Sequence, residues 1–271
     1  VEGRCENRDD KAGRMTRGAA LGVKSRVLLY AASPQFNPSG EKSKWAAAAA
    51  AAFEVINMGI YSLHPDYGGL FVAETSTTSP ETIWAVRMGA TNEFERKNYP
   101  IGTQGGGTGI CPSQNLVEAY ESTGEDTGDA YAGLDPPFYA TALRNGDTWN
   151  GRPLEIYAGG ADDPARQNAS PTGYYLRKFL NENLNLTNDD KRLRSWIVFR
   201  YAEILLNFAE AMNEAYGPDD AHGYGMSARE AVDAVSASSG VGMTPVVVAP
   251  GHAAAPPPPT PTSASSVALP P

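Results

Sequence analysis

The sequence predicts a mainly α protein, built from helical hairpins with long loops and a few short β-strands. Three observations predict it. Four stretches carry apolar residues at spacings of three and four, the period of an amphipathic helix, and capping or breaking residues bound them. The stretches fall into two pairs, about 15–58 and 199–238, each joined by a polar connection as in an αα-hairpin. Between the pairs, from about 60 to 195, Gly, Pro, Asn, Asp, Ser and Thr interrupt every apolar run, so loops dominate.

The first helix is expected from Thr16 to Ala32. The Thr16 hydroxyl can accept a bond from a free amide of the first turn, and Ser33-Pro34 ends the helix because a residue before proline leaves the α region. Ala20, Val23, Val27, Tyr30 and Ala31 give its apolar stripe, with Arg17, Lys24 and Arg26 largely off it. The second helix is expected from Ser43, its cap, to Met58, with Gly59 as the stop. Trp45, the run Ala46 to Ala52, Phe53, Val55 and Ile56 form its core, and the alanine face allows close approach of a neighbour.

In the loop-rich insert, Pro112-Ser113 opens a helix over Gln114 to Glu121, with Leu116, Val117 and Tyr120 on one face. Phe138 to Leu143 and Thr172 to Leu180 are rich in β-compatible residues and are expected to be strands or extended segments. A third strong helix spans about Phe199 to Tyr216. Tyr201, Ile204, Leu205, Phe208, Met212 and Ala215 form its stripe, Glu203, Asn207, Glu210 and Asn213 face elsewhere, and Gly217-Pro218 terminates it. The fourth helix starts at the capping box Ser227-Ala228-Arg229-Glu230 and buries Ala231, Val232, Ala234 and Val235. Two alanine-rich hairpins of this kind resemble tetratricopeptide-type units, although the first has a longer connection than that repeat allows. One partial helical domain is therefore expected over 1–243. From about Thr244 an Ala/Pro-rich tail, 244–271, is expected to be disordered, because it cannot bury enough apolar surface to offset its ordering entropy. Its abrupt composition is what a reading-frame slip in a GC-rich gene would produce.

Charge and composition narrow the function classes. The 271 residues carry a net charge of −9, with Lys and Arg scattered, so the basic footprint of a nucleic-acid binder is missing. Tyrosines outnumber the other aromatics, 13 against 8 Phe and 4 Trp, which suits sugar-facing surfaces as well as half-buried cores. Cys5 and Cys111 form no CxxC pair and His64, His222 and His252 show no ligand spacing, so neither a metal nor a cofactor is expected. No run of 18 apolar residues exists that could make a membrane-spanning helix.

Seven strings occur in an order and separation similar to the SusD/RagB family. They are Gly13-Arg14-Met15-Thr16-Arg17-Gly18-Ala19-Ala20-Leu21; Arg26-Val27-Leu28-Leu29-Tyr30-Ala31-Ala32-Ser33-Pro34; Trp45 with the alanine run leading to Val55-Ile56; Pro112 to Glu121; Asp135 to Thr141; Gly173 to Phe179; and Phe199 to Asn207. The resemblance covers about Gly13 to Val235. It implies a scaffold of tetratricopeptide-like hairpins whose loops carry a ligand site. It also implies a lipid-anchored protein at the surface of the outer membrane that caps a SusC-like TonB-dependent transporter and hands it oligosaccharides or other nutrients. The chain departs from the pattern in lacking a signal peptide and lipobox, so Cys5 is not read as the anchor. Ser236 and Ser238 stand where the family usually has arginines, and the Ala/Pro tail replaces a region rich in Arg and Glu.

Sugar recognition uses aromatic rings against the apolar pyranose face and polar groups for the hydroxyls. The candidate platforms are Trp84, Tyr131, Trp149, Tyr157 and Tyr174; the candidate polar partners are Asn145, Asp147, Asn150 and Arg152. Trp149 leads, because it lies in the polar, glycine-bearing segment Arg144 to Gly151; the competing reading plugs it into the scaffold edge. Tyr174 and Tyr175 are more simply read as strand residues.

Other patterns carry less. The run Gly102 to Gly109 ends in Ile110-Cys111-Pro112 rather than Gly-Lys-Ser/Thr, so it is a flexible connector and not a phosphate cradle. Glu203 and Glu210 share a helix face but are better read as solvated or structural than as a glycosidase pair. Asp162-Asp163 alone falls short of the six or more oxygens calcium takes. The sequons at Asn168 and Asn185 mean little in a bacterial protein. The leading expectation is a glycan-binding protein that catalyses nothing, with a peptide-binding helical scaffold as the alternative and a carbohydrate-active enzyme behind both.

Overall fold

The computed structural model describes residues 13–72, 75–121, 129, 131–238 and 241–243. The expectations for Cys5 and for the tail 244–271 lie outside them. The described residues form α1 (Arg17–Ala32), α2 (Lys42–Ile56), α3 (Thr75–Thr78), β1 (Thr82–Thr91), α4 (Glu93–Asn98), α5 (Gln114–Glu118) and α6 (Pro136–Thr141). Then follow β2 (Ala142–Leu143), β3 (Thr148–Trp149), β4 (Arg152–Pro153), β5 (Tyr175–Leu176), β6 (Arg192–Arg200), α7 (Tyr201–Tyr216) and α8 (Ala228–Ser236). The mainly α expectation holds.

The helices pack in the order α1, α2, α7, α8 around one core that includes Leu21, Trp45, Val55, Ile204, Phe208 and Met212. Thr16 caps α1 as expected, its Oγ1 accepting from the Ala19 amide at 3.2 Å. The buried face of α1 is not the expected stripe. Gly18, Ala19, Leu21, Gly22, Ser25, Leu29 and Ala32 are buried, whereas Val27 is 59% exposed and Tyr30 61%. The reason is steric: a Cβ on Gly18 would lie 1.9 Å from the Tyr61 hydroxyl, so the small residues admit the neighbours. Hydropathy alone ranks glycine and serine too low to reveal such a face.

Ser43 lies inside α2 and does not cap it; Asn37 Oδ1 instead accepts from the Glu41 amide at 2.9 Å, one residue before the helix. The alanine face of α2 (Ala48, Ala49, Ala51, Ala52) is buried against both α1 and α7. α7 buries Ile204, Leu205, Phe208, Met212 and Ala215 of the expected stripe and leaves Tyr201 partly buried, and Gly217 (φ 100°) ends it in a conformation L side chains rarely adopt. Asn207, expected to face elsewhere, is buried, with its Nδ2 3.4 Å from Ser25 Oγ. The capping box of α8 is present in both directions, but only Ala231 of its expected face is fully buried and Ala234 is exposed.

The insert departs further. Two long strands, β1 and β6, pair antiparallel from Thr82↔Arg200 to Thr91↔Arg192 and were not foreseen as strands. Their β-branched and aromatic content (Ile83, Trp84, Val86; Trp196, Ile197, Val198, Phe199) is the signal. Phe138 lies in α6, not a strand, because Asp135-Pro136-Pro137 places proline in the first turn, where its missing N–H costs nothing. Within Thr172–Leu180 only Tyr175–Leu176 is strand. α5 is shorter than expected, with Ser113 Oγ accepting from the Leu116 amide at 3.2 Å. The glycine run is no loose connector: a Cβ on Gly106 would meet the Pro100 carbonyl at 2.6 Å.

Candidate functional site

The insert holds two small cores, and a cleft opens beside them. One core gathers Tyr99, Leu143, Trp149, Leu154, Tyr175, Leu180, Leu184 and Leu186; the other gathers Val117, Phe138, Ala142 and Tyr174. β2 joins them to β5 by pairing Ala142↔Leu176 and Leu143↔Tyr175, which sets Arg144 and Tyr174, the next residues out, side by side. From Arg144 the chain turns back on itself: the Gly146 amide donates to the Leu154 carbonyl and the Leu154 amide to the Asp147 carbonyl, both at 2.9 Å. The cleft of about 540 Å³ is lined by Asp129, Tyr131, Arg144, Asn145, Gly146, Asp147, Thr172, Gly173 and Tyr174.

Its polar groups are held in place by one another. The Arg144 guanidinium donates to both oxygens of Asp129 at 2.9 Å and to Asp147 Oδ1 at 3.2 Å, while the Arg144 amide donates to Asp147 Oδ2 at 2.9 Å. The Tyr131 amide and Arg144 hold the Asp129 carboxyl below the usual carboxylate range. Two carboxylates on one guanidinium leave the lining with one excess negative charge, and Asp129, held low, is no proton donor near neutrality. The Tyr174 hydroxyl donates to Gln114 Oε1 at 3.0 Å and lies 2.6 Å from the Tyr131 hydroxyl, which donates in turn. Burial and the Tyr131 hydroxyl push the Tyr174 phenol up to about 12. Asn145 Oδ1 accepts from the Ile156 amide at 2.8 Å, and its NH2 group has no protein acceptor among the described residues. The cleft thus presents an amide, carboxylate oxygens and a guanidinium beside tyrosines, a set that can pair with hydroxyls as donors and acceptors.

Of the residues expected at a ligand site, Tyr131, Asn145, Asp147 and Tyr174 come together in this cleft. Tyr157 is 51% exposed and follows Ile156, the residue bonded to Asn145, but is not among the lining residues. The others lie outside the cleft lining. Trp149 is 0% exposed, edge-on to Tyr99 with ring centres 4.9 Å apart, and presents no surface to solvent. Trp84 is half-buried against the helical core, stacked on Phe199. Asn150 (φ 49°) and Gly151 (φ 74°) form the two-residue turn between β3 and β4, the Asn-Gly hairpin signal. Arg152 donates to both oxygens of buried Asp162 at 2.8 and 3.1 Å. Burial pushes the Asp162 carboxyl up, yet Arg152 and the Glu155 and Gly102 amides outweigh it and hold the group low. Asp163 meanwhile binds the Gly159 and Ala165 amides, so the Asp162-Asp163 pair is not a joint cation site. Glu203 is clamped by Arg26, with Nε and Nη2 each donating to a different oxygen at 2.7 Å. Sequence reasoning does not reach Arg144 and Asp129, the ion pair that braces the cleft, because nothing local joins residues fifteen positions apart in a loop-rich insert.

Among the described residues no helix is long and apolar enough to cross a membrane. The SusD family model matches residues 80–238. No curated relative matches the chain. Solved structures do. A SusD-like carbohydrate binding protein from Bacteroides fragilis matches with a TM-score of 0.74 at 22% identity, covering 91% of this chain and 49% of its own. A second SusD-like protein from Bacteroides fragilis matches with a TM-score of 0.67 at 25% identity, covering 90% and 50%. Surface glycan-binding protein A from Bacteroides thetaiotaomicron, solved in complex with laminarihexaose, matches with a TM-score of 0.59 at 19% identity, covering 89% and 51%. The chain spans about half the length of these relatives.

Proposed function

The chain belongs to the SusD family, and from that premise we propose that it captures oligosaccharides at the outer-membrane surface and passes them to a SusC-like TonB-dependent transporter, making and breaking no bond. The observation that carries the reading is the cleft at Tyr131, Arg144, Asn145, Asp147 and Tyr174, where donors and acceptors converge beside tyrosine rings. Relatives of the same fold described as carbohydrate-binding, one of them holding laminarihexaose, support it. Recognition proceeds by hydroxyl bonding: the NH2 of Asn145, without an acceptor among the described residues, donates and Asp147 accepts, while the Asp129–Arg144–Asp147 brace keeps the acceptors in position before the sugar arrives. Preorganisation of this kind cuts the ordering cost of binding.

The carboxylates argue for binding over hydrolysis. A glycosidase needs one carboxylic acid of raised pKa facing a second carboxylate. Here both cleft carboxylates grip one arginine, and Glu203 is engaged by Arg26.

Isothermal titration with laminarihexaose, maltohexaose and cellohexaose tests the proposal. Binding to at least one, weakened about five- to thirtyfold by Asn145→Ala, is expected, since a lost hydrogen bond to a bound polar ligand is worth about 1–2 kcal/mol. No heat with any glycan, together with tight binding of an apolar helical peptide, would transfer the function to the groove between α7 and α8. That groove, of about 400 Å³ and walled by Leu206, Ala209, Pro218 and Val232, is the observation that keeps the peptide-binding alternative in play.

A further inference from the structure

Trp196, on β6, is 43% exposed, whereas Trp45 and Trp149 are buried and Trp84 is half-buried. Its indole is fixed in place. Phe179 stacks on it with ring centres 4.5 Å apart and planes within 15°, and Phe94 meets it edge-on. Phe179 sits at φ 67°, a left-handed backbone conformation that is an outlier for a bulky residue, and the Arg194 guanidinium holds its carbonyl at 2.9 Å. Backbone strain of this kind persists where the surroundings over-determine it, and it clusters at ligand sites. Arg194, whose guanidinium lies over the Phe94 ring, is neutralised by Glu95 in a buried ion pair.

The ribbon opens beside this ring. The β1–β6 register shifts between Met88↔Arg194 and Thr91↔Arg192, so a bulge takes Gly89 and Ala90 out of step with β6. Bulges are over-represented next to functional sites, where they end pairing or re-aim side chains. The result is a cleft of about 470 Å³, within the usual range for small-ligand sites of about 300–1,000 Å³. Trp196, Phe94 and Met88 give it apolar walls. Glu93 and Lys97, four residues apart on α4 and both exposed, stand at its polar edge, with neither in an ion pair among the described residues.

We infer that this cleft is a second oligosaccharide subsite, with the Trp196 indole as the stacking platform for a pyranose face and Glu93 and Lys97 as partners for its hydroxyls. The inference rests on the reading that the protein binds glycans, but on none of the residues of the first cleft. A backed indole with one carboxylate and one ammonium at the rim has the amphipathic character of a sugar site. A protein partner would need roughly 800 Å² of contact on each side, more than the indole, its cross-strand neighbour Val86, Met88 and a phenylalanine edge supply.

The test uses the full chain with laminarihexaose, maltohexaose and cellohexaose. Iodide quenching of tryptophan fluorescence reads Trp196 first, because it is the most exposed indole of the four. A glycan that titrates calorimetrically should shield it from iodide, and Trp196→Ala should weaken that glycan at least tenfold or remove one of two sites. Trp196→Phe, which keeps an aromatic ring against Phe179, should restore part of the affinity and controls for folding. Unchanged titration in Trp196→Ala with unshielded iodide quenching overturns the subsite and leaves the first cleft standing. Loss of self-association in Trp196→Ala by sedimentation velocity, with glycan affinity intact, also overturns it and makes the ribbon a protein contact. Absence of heat from every glycan in the unaltered chain overturns both.

Discussion

Replacing Trp149 with alanine separates a core indole from a binding platform. The ring is fully buried and packs edge-on against Tyr99 amid Leu143, Leu154 and Leu184. Truncating a buried aromatic to alanine costs about 3–5 kcal/mol, through lost transfer energy and the cavity left behind. Part of this is offset, because the indole Nε1 has no acceptor among the described residues and a buried unsatisfied donor costs about 1–3 kcal/mol. A net loss near 3 kcal/mol is expected. With a urea slope of about 2 kcal/mol/M, the unfolding midpoint should fall by about 1.5 M. Trp149→Phe keeps most of the volume and removes the orphan donor, so it should cost under about 1.5 kcal/mol and leave glycan affinity unchanged. Urea unfolding followed by circular dichroism measures the first quantity and calorimetric titration the second. A Trp149→Ala protein of unaltered stability that no longer binds glycan would refute the reasoning.

Three further perturbations follow from the packing and the ion pairs. Gly18→Ala drives a Cβ to 1.9 Å from the Tyr61 hydroxyl and should destabilise by about 1–3 kcal/mol, while Val27→Ala on the exposed side of α1 should stay within about 0.5 kcal/mol; equal effects in thermal melts would mean the buried face of α1 is misassigned. Arg152→Ala strands the buried Asp162 carboxylate and should cost about 3–5 kcal/mol at pH 7. Because the folded Asp162 pKa is depressed, the pairing contributes fully above the unfolded value near 3.9 and is lost as pH falls through the folded value, so the gap between the two proteins should narrow below about pH 4; a pH-independent gap would contradict the assignment. Glu203→Gln removes the charge facing Arg26 and should lower stability by about 1–3 kcal/mol with glycan binding intact. Release of reducing sugar by the unaltered protein above the buffer rate, abolished by this substitution, would instead make Glu203 catalytic.

What the residues revealed in advance was the local, periodic part of the fold. α7 and α8 were legible because their stripes, the Gly217 stop and the Ser227–Glu230 capping box are written within a few residues of one another. The buried face of α1 was not, because close approach selects Gly18, Gly22 and Ser25 by size, and periodicity of hydropathy does not register size. The β1–β6 ribbon pairs residues more than a hundred positions apart, so each strand reads alone as a short apolar run among turn signals. For the cleft, the segment Arg144 to Gly151 supplies lining residues at Arg144 to Asp147, whereas its tryptophan, Trp149, is buried. Asn150-Gly151, the two-residue turn that follows that indole, makes Trp149 a strand residue, and the Asn-Gly signal is legible in the sequence. Arg144 and Asp129 could not be joined from sequence, since their pairing depends on how the insert folds.

The proposed function places saccharide hydroxyls in the Tyr131–Tyr174 cleft. A crystal structure of the chain with the tightest of the three hexasaccharides measures it most directly. A sugar ring is expected within hydrogen-bond distance of the Asn145 amide and the Asp147 carboxylate, with Arg144 still bridging Asp129 and Asp147. A bound glycan that leaves those two side chains untouched would contradict it.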